Sequence, residues 1–295
     1  MDVRFSWVDV FAERPLTGNP LAVVPDADGL SDERMRAIAR EFNQSETTFL
    51  VRSDLPGADH RLRSFTPGGA EVLGAGHNAM GAWIWLARSG LLDPGRDAFV
   101  QQIGGDTLPV RIVSRGEGGA RVAMEQAAPR FPGPVDARDA LAAALALDPA
   151  DLAADRVPEV ASTGVAHLLV PARDARAVDL ADPDPARLRR LLADVGAEGC
   201  YLYTVDTAGL APGVDAYARF FNPTVGIAED PATGTAAGPL AAVLVRDGLK
   251  REGEAVTVEQ GRAMGRPSRI GLTVGGGAVR ITGSGVVVAE GTLHL

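Results

Sequence analysis

Three ionisable side chains stand where the chain passes from a turn into regular structure. Glu46 closes the turn Asn43-Gln44-Ser45 and leads into Thr47-Thr48-Phe49-Leu50, which has strand propensity. His77 follows Gly74-Ala75-Gly76 at the start of an apolar helical run, and Asp230 precedes Pro231-Ala232-Thr233-Gly234-Thr235 at the start of another. A carboxyl group enclosed in a dry cleft has its pKa raised toward the range useful for both giving and taking a proton. A helix start opened by glycine, as at Gly76 and Gly234, presents backbone N–H groups and the positive end of the helix dipole to an anion. Two such helix starts suit the binding of a small carboxylate, His77 at one of them could donate a hydrogen bond, and Glu46 is a carboxylate that could point into a cleft. Each residue also has a plainer reading. Glu46 can be a solvated turn residue, His77 a helix cap, and Asp230 an ordinary residue ahead of a proline-initiated helix.

The elements that would hold these groups occur twice. At one constant offset the chain matches itself at Gly76/Gly234, Ala79/Ala237, Leu86/Leu244, Arg88/Arg246, Gly90/Gly248, Gln102/Gln260, Arg111/Arg269 and Gly118-Gly119-Ala120/Gly276-Gly277-Ala278. The period is about half the protein, which means duplication and not a solenoid. Upstream, Met35, Ile38, Ala39 and Phe42 form a helical stripe opened by Ser31, and Leu188, Leu191, Leu192 and Val195 form another opened by Asp184-Pro185. An Arg-x-Phe-x-Pro turn recurs as Arg63 to Pro67 and Arg219 to Pro223. The copies differ at Glu46, whose counterpart is Gly199, so only one half carries that carboxylate. Two domains are expected: residues 1–126, completed by 283–295, and residues 127–282, with one cleft between them.

Composition narrows the function classes. A net charge of −9 disfavours nucleic-acid and anionic-membrane surfaces, and no apolar run is long enough to span a bilayer. Met1-Asp2-Val3-Arg4 opens no signal-peptide pattern, so a cytoplasmic protein is expected. The single cysteine, Cys200, sits in a strand-like run and excludes a disulfide framework, while His60, His77, His167 and His294 fall in no ligand spacing. Neither a metal nor another cofactor is expected. Elsewhere, proline-rich Ala127 to Val135 reads as the link between halves. The alanine-rich stretch from Asp136 to Leu147 reads as a helical surface insertion. Pro239 requires a helix beginning near Thr235, so that the ring falls in the first turn.

Val8-Asp9-Val10-Phe11, Gly18-Asn19-Pro20-Leu21, Ser45-Glu46-Thr47, Gly76-His77 and Glu229-Asp230-Pro231-Ala232-Thr233-Gly234 occur in an order that resembles the phenazine-biosynthesis PhzF family. The resemblance implies an α+β, diaminopimelate-epimerase-like fold of two pseudo-symmetric domains, each a barrel-like β-sheet around a central helix, and a homodimer. It implies a cofactor-independent isomerase resembling trans-2,3-dihydro-3-hydroxyanthranilate isomerase, with Glu46, His77 and Asp230 catalytic and Asn19 and Thr235 among the substrate contacts. Racemases of the wider superfamily carry a cysteine at each central helix; the matching positions here are Ala75 and Thr233, which excludes a two-thiol racemase. A glutamate-based racemase, a dehydratase of a hydroxylated amino acid and a non-catalytic binding protein remain as alternatives. The chain departs from the family at Thr235, where serine is commoner, and at Asn78-Ala79-Met80, which are expected to alter contacts near the ligand.

Overall fold

The computed structural model describes residues 1–116 and 119–295, so the Gly118/Gly276 match lies outside the described residues. The chain divides into two compact units, one of residues 1–125 with 282–295 and the other of residues 126–281. Among the described residues, no helix is long and apolar enough to cross a membrane.

The first unit runs β1 (Asp2–Val10), β2 (Asn19–Val24), α1 (Asp32–Phe42), β3 (Thr47–Val51), β4 (His60–Phe65), β5 (Glu71–Val72), α2 (His77–Ser89), β6 (Ala98–Ile103), β7 (Asp106–Gly116) and β8 (Gly119–Gln126). Its sheet closes on itself. β1 pairs with β2, β2 with β3, β3 with β4, β4 with β6, β6 with β7 and β7 with β8. The last strand of the chain, from Gly285 to His294, pairs with β1, and the same strand pairs with β8, completing an eight-stranded ring with no free edge. α2 fills the ring, packed on β1, β2, β3, β4 and β7. It is buried nearly all round, which explains its apolar sequence, and Trp83 inside it donates Nε1–H to Gln101 Oε1 at 2.9 Å. α1 lies outside with Met35, Ile38 and Ala39 turned inward, started by the Ser31 hydroxyl on the Arg34 N–H and ended by left-handed Asn43.

The second unit contains β9 (Arg130–Pro134), α3 (Arg138–Ala144), β10 (Glu159–Ser162), β11 (Ala166–Pro171), α4 (Ala175–Leu180), α5 (Pro185–Val195), β12 (Gly199–Thr204), β13 (Ala216–Asn222), β14 (Ile227–Asp230), α6 (Gly234–Arg246), β15 (Ala255–Gln260), β16 (Ser268–Gly275) and the start of β17 (Ala278–His294). Its pairing repeats that of the first unit. β11/β12 is parallel like β2/β3, β12/β13 antiparallel like β3/β4, β13/β15 parallel like β4/β6, and β15/β16 antiparallel like β6/β7. α6 is the counterpart of α2 and packs on β10, β11 and β16. β16 turns into β17 through Gly276 and Gly277, both at positive φ, the geometry a two-residue hairpin of this twist needs.

Three expectations are corrected here. Ala127 to Val135 is not a plain link, because β9 lies within it and pairs with β10. The helix within Asp136 to Leu147 is not a surface insertion. Leu141, Ala142 and Leu145 are fully buried against Leu188 and Leu192 of α5, since an alanine-rich face lets two helices approach closely. Pro239 stands beyond the first turn of α6, which begins at Gly234. Its missing N–H leaves the Thr235 carbonyl without the usual helical donor, a cost offset by burying the apolar ring at that depth.

Candidate active site

In the first unit the left-handed cap at Asn43 ends α1 and turns the chain so that Glu46 lies one residue before β3. His77 is the first residue of α2. Oε2 of Glu46 lies 3.1 Å from Nε2 of His77, and the two side chains are only 17% and 9% exposed. Oε2 is buried and accepts no properly angled hydrogen bond among the described residues. Burial pushes the Glu46 carboxyl up to about 7. The sequence could not decide between a solvated and an enclosed Glu46; the carboxyl is enclosed.

The residue after His77 fixes its position. Asn78 Oδ1 accepts from the Gly76 N–H at 2.8 Å, and its Nδ2 donates to the Gly74 carbonyl at 3.1 Å and to Ser64 Oγ at 3.0 Å. Ser64 in turn meets Thr48 Oγ1 at 2.9 Å, so the mouth of α2 is tied to β3 and β4. The Gly76 N–H is thus engaged by Asn78, and both Asn78 and Met80 are buried. Asn19 is fully buried at the start of β2, opposite Val10. Because β2 and β3 are parallel with Ala22 beside Thr47, Asn19 and Glu46 lie at the same end of the barrel. Gly18 before it is at φ 67°, and a Cβ there would lie 2.2 Å from the Val10 carbonyl oxygen, so only glycine fits.

In the second unit, β14 delivers Asp230 to the mouth of α6. Asp230 is 7% exposed, and Thr233 donates its hydroxyl to Oδ2 at 2.5 Å. Gln260, fully buried on β15, donates to the Asp230 carbonyl at 2.7 Å and to Thr233 Oγ1 at 3.1 Å, and accepts from the Thr233 N–H at 3.2 Å. In the sequence Gln260 stands out only as the repeat partner of Gln102. Thr233 gives α6 no side-chain cap, and the N–H groups of Gly234 and Thr235 donate to no group among the described residues. These are donors that an anion satisfies. Thr235 is half-buried, with Oγ1 3.1 Å from Nε2 of His167.

The Arg-x-Phe-x-Pro turns hold both mouths in the same manner. Arg63 on β4 grips Glu71 of β5 through two hydrogen bonds of 2.8 and 2.7 Å, and Arg219 on β13 grips Glu229 of β14 at 2.9 and 2.8 Å. Paired N–H donors fix the short strand leading to each helix in position and orientation. The units differ at Gly199, where a Cβ would come 2.4 Å from the Phe220 ring and 3.3 Å from His167 Nδ1. Two rings occupy the space beside this residue, so the second unit has no room for a counterpart of Glu46. Cys200 next to it is buried, with its thiol pushed up to about 12, and is inert.

A closed barrel and a second unit of the same strand pairing, each built on a central helix and bearing polar groups at its mouth, define a duplicated α+β fold. The solved structure of a probable proline racemase from Agrobacterium radiobacter shares this fold, at a TM-score of 0.65 and 13% identity over 99% of this chain and 93% of that one. The model of the PhzC-PhzF family, described as phenazine biosynthesis-like protein, matches residues 8–291, and the chain belongs to that family. The crystal structure of a PhzF-family phenazine biosynthesis protein from Bacillus anthracis superposes with a TM-score of 0.91 at 27% identity, covering all of both chains. Trans-2,3-dihydro-3-hydroxyanthranilate isomerase of Pseudomonas aeruginosa is 34% identical over 99% of each chain. An uncharacterized isomerase, YddE, of Escherichia coli O157:H7 is 35% identical over 90% of this chain and 88% of its own. The protein is an isomerase of the PhzF family.

Proposed function

We propose that the protein is a cofactor-independent isomerase that moves a proton between carbons of a small amino- or hydroxy-carboxylate, with Glu46 as general acid/base. The observation that carries this reading is the Glu46 carboxyl, enclosed, 3.1 Å from His77 Nε2 and pushed up to about 7. At that value it holds and releases a proton with nearly equal ease at neutral pH. The carboxylate takes a C–H proton from the ligand, the electron pair shifts along the conjugated frame, and the carboxylic acid returns the proton to another carbon. Atoms balance, and the product has the mass of the substrate.

His77, with Nε2 3.1 Å from the Glu46 oxygen, is the partner of that carboxyl in the site. Gly234 and Thr235, with unbonded N–H groups and a hydroxyl, suit a ligand carboxylate, and Asp230 suits an ammonium group. The P. aeruginosa relative's name supplies the first compound to try, trans-2,3-dihydro-3-hydroxyanthranilate. The test is incubation of that compound and a panel of small amino and hydroxy acids in deuterated water, followed by mass spectrometry. A product isomeric with its substrate, apart from deuterium gained at carbon, supports the reading. A product lighter by one water makes the protein a dehydratase, and inversion at a single carbon makes it a racemase.

A further inference from the structure

His167 is the one histidine of the second unit, and nothing in the sequence marked it as functional. It is 1% exposed on β11, opposite Gly199 of β12, with its ring edge-on to Phe220 at 5.0 Å between centroids. Its two nitrogens have different surroundings. Nε2 meets Thr235 Oγ1 at 3.1 Å, whereas Nδ1 is buried without a hydrogen bond among the described residues. Burial also holds the imidazolium form off, with the ring's pKa lowered to about 4.

A neutral imidazole carries one N–H, and its placement here decides what the threonine can do. With the proton on Nδ1, a donor would be stranded in the core, and Thr235 would have to spend its only hydrogen on Nε2. With the proton on Nε2, the stranded group is a lone pair, and Thr235 Oγ1 accepts. Orphaned buried N–H groups are rarer than under-satisfied acceptors, so the second arrangement prevails.

We infer that His167 is a positioning residue that donates Nε2–H to Thr235 Oγ1, turning the threonine's own hydrogen outward as a donor to an anionic ligand group. The hydroxyl then works alongside the unbonded N–H groups of Gly234 and Thr235, so three donors face one way. Thr235 is also the position that matches His77 of the first unit. One copy thus places a histidine on the helix, and the other places a hydroxyl there with a histidine behind it. The inference rests on the carboxylate-binding reading of Thr235 given above.

The experiment is 15N NMR of histidine-labelled protein at neutral pH, with His167 assigned by its loss in His167→Gln, joined to titration with anthranilate as the carboxylate probe. A pyrrole-type shift at Nε2 and a pyridine-type shift at Nδ1 are expected; the opposite pattern overturns the inference regardless of what the protein binds. His167→Leu is expected to weaken anthranilate about tenfold, the size of one charge-assisted hydrogen bond. His167→Gln, whose amide can still donate, is expected to recover most of that, and His167→Leu should have no further effect in a Thr235→Val background. A tenfold loss that persists in that background overturns the inference. The expected tautomer with anthranilate affinity unchanged in both His167→Leu and Thr235→Val overturns the carboxylate reading of Thr235 and leaves the tautomer standing.

Discussion

The hydroxyl of Thr233 donates to Oδ2 of Asp230 and so forgoes the capping role that its position before α6 offers. A threonine at that position ordinarily accepts from the helix's own first N–H groups. Here those N–H groups stay open while the carboxylate is pinned. Thr233→Ser keeps the bond and should be nearly neutral, whereas Thr233→Val removes one donor and should cost about 1–2 kcal/mol. Thermal denaturation of the two variants separates these outcomes.

Glu46 makes stability depend on pH. Its folded pKa of about 7 lies above the usual 4.5, so the native state holds more protons between these values, and stability falls as pH rises through that window. The shift corresponds to about 3 kcal/mol. Glu46→Gln should therefore be more stable than wild type at pH 8 by up to that amount, and little different at pH 4. Urea denaturation at the two pH values measures it.

His167 acts in the opposite sense. Its pKa is lowered to about 4, so the unfolded chain binds the extra proton between pH 4 and 6.5, and stability is lost as pH falls through that range. His167→Gln should remove that part of the acid sensitivity. Midpoints of urea unfolding between pH 7 and 4 give the comparison.

Gly199→Ala tests why the second unit has no carboxylate. Its Cβ would meet the Phe220 ring at 2.4 Å, and overpacking of a buried strand position costs about 1–3 kcal/mol. Equal stability of the variant would mean that the rings have room to move.

Much of this arrangement was legible in the sequence, because duplication and helical periodicity are local patterns. The stripes opened by Ser31 and Asp184 became α1 and α5 with those residues as caps. The glycine-opened runs became α2 and α6. Pairing partners distant in sequence were not legible. Proline-rich Arg130 to Pro134 gives no strand periodicity, and only its pairing with β10 makes it one. Leu141 and Ala142 look like surface composition until α5 covers them. That the Asn78 amide points back to Gly74, Gly76 and Ser64 is likewise invisible in residue order, which shows only that it follows His77. Asn78→Leu should accordingly cost about 1–3 kcal/mol of stability by leaving buried polar groups unpaired.

The most direct test of the account is the isomerisation rate of Glu46→Gln on trans-2,3-dihydro-3-hydroxyanthranilate, measured beside its affinity for anthranilate. Loss of a general acid/base should lower kcat by about a hundredfold or more, while an uncharged isostere should leave affinity within about threefold. Turnover at the wild-type rate, or affinity falling in step with turnover, would contradict Glu46 as the proton carrier.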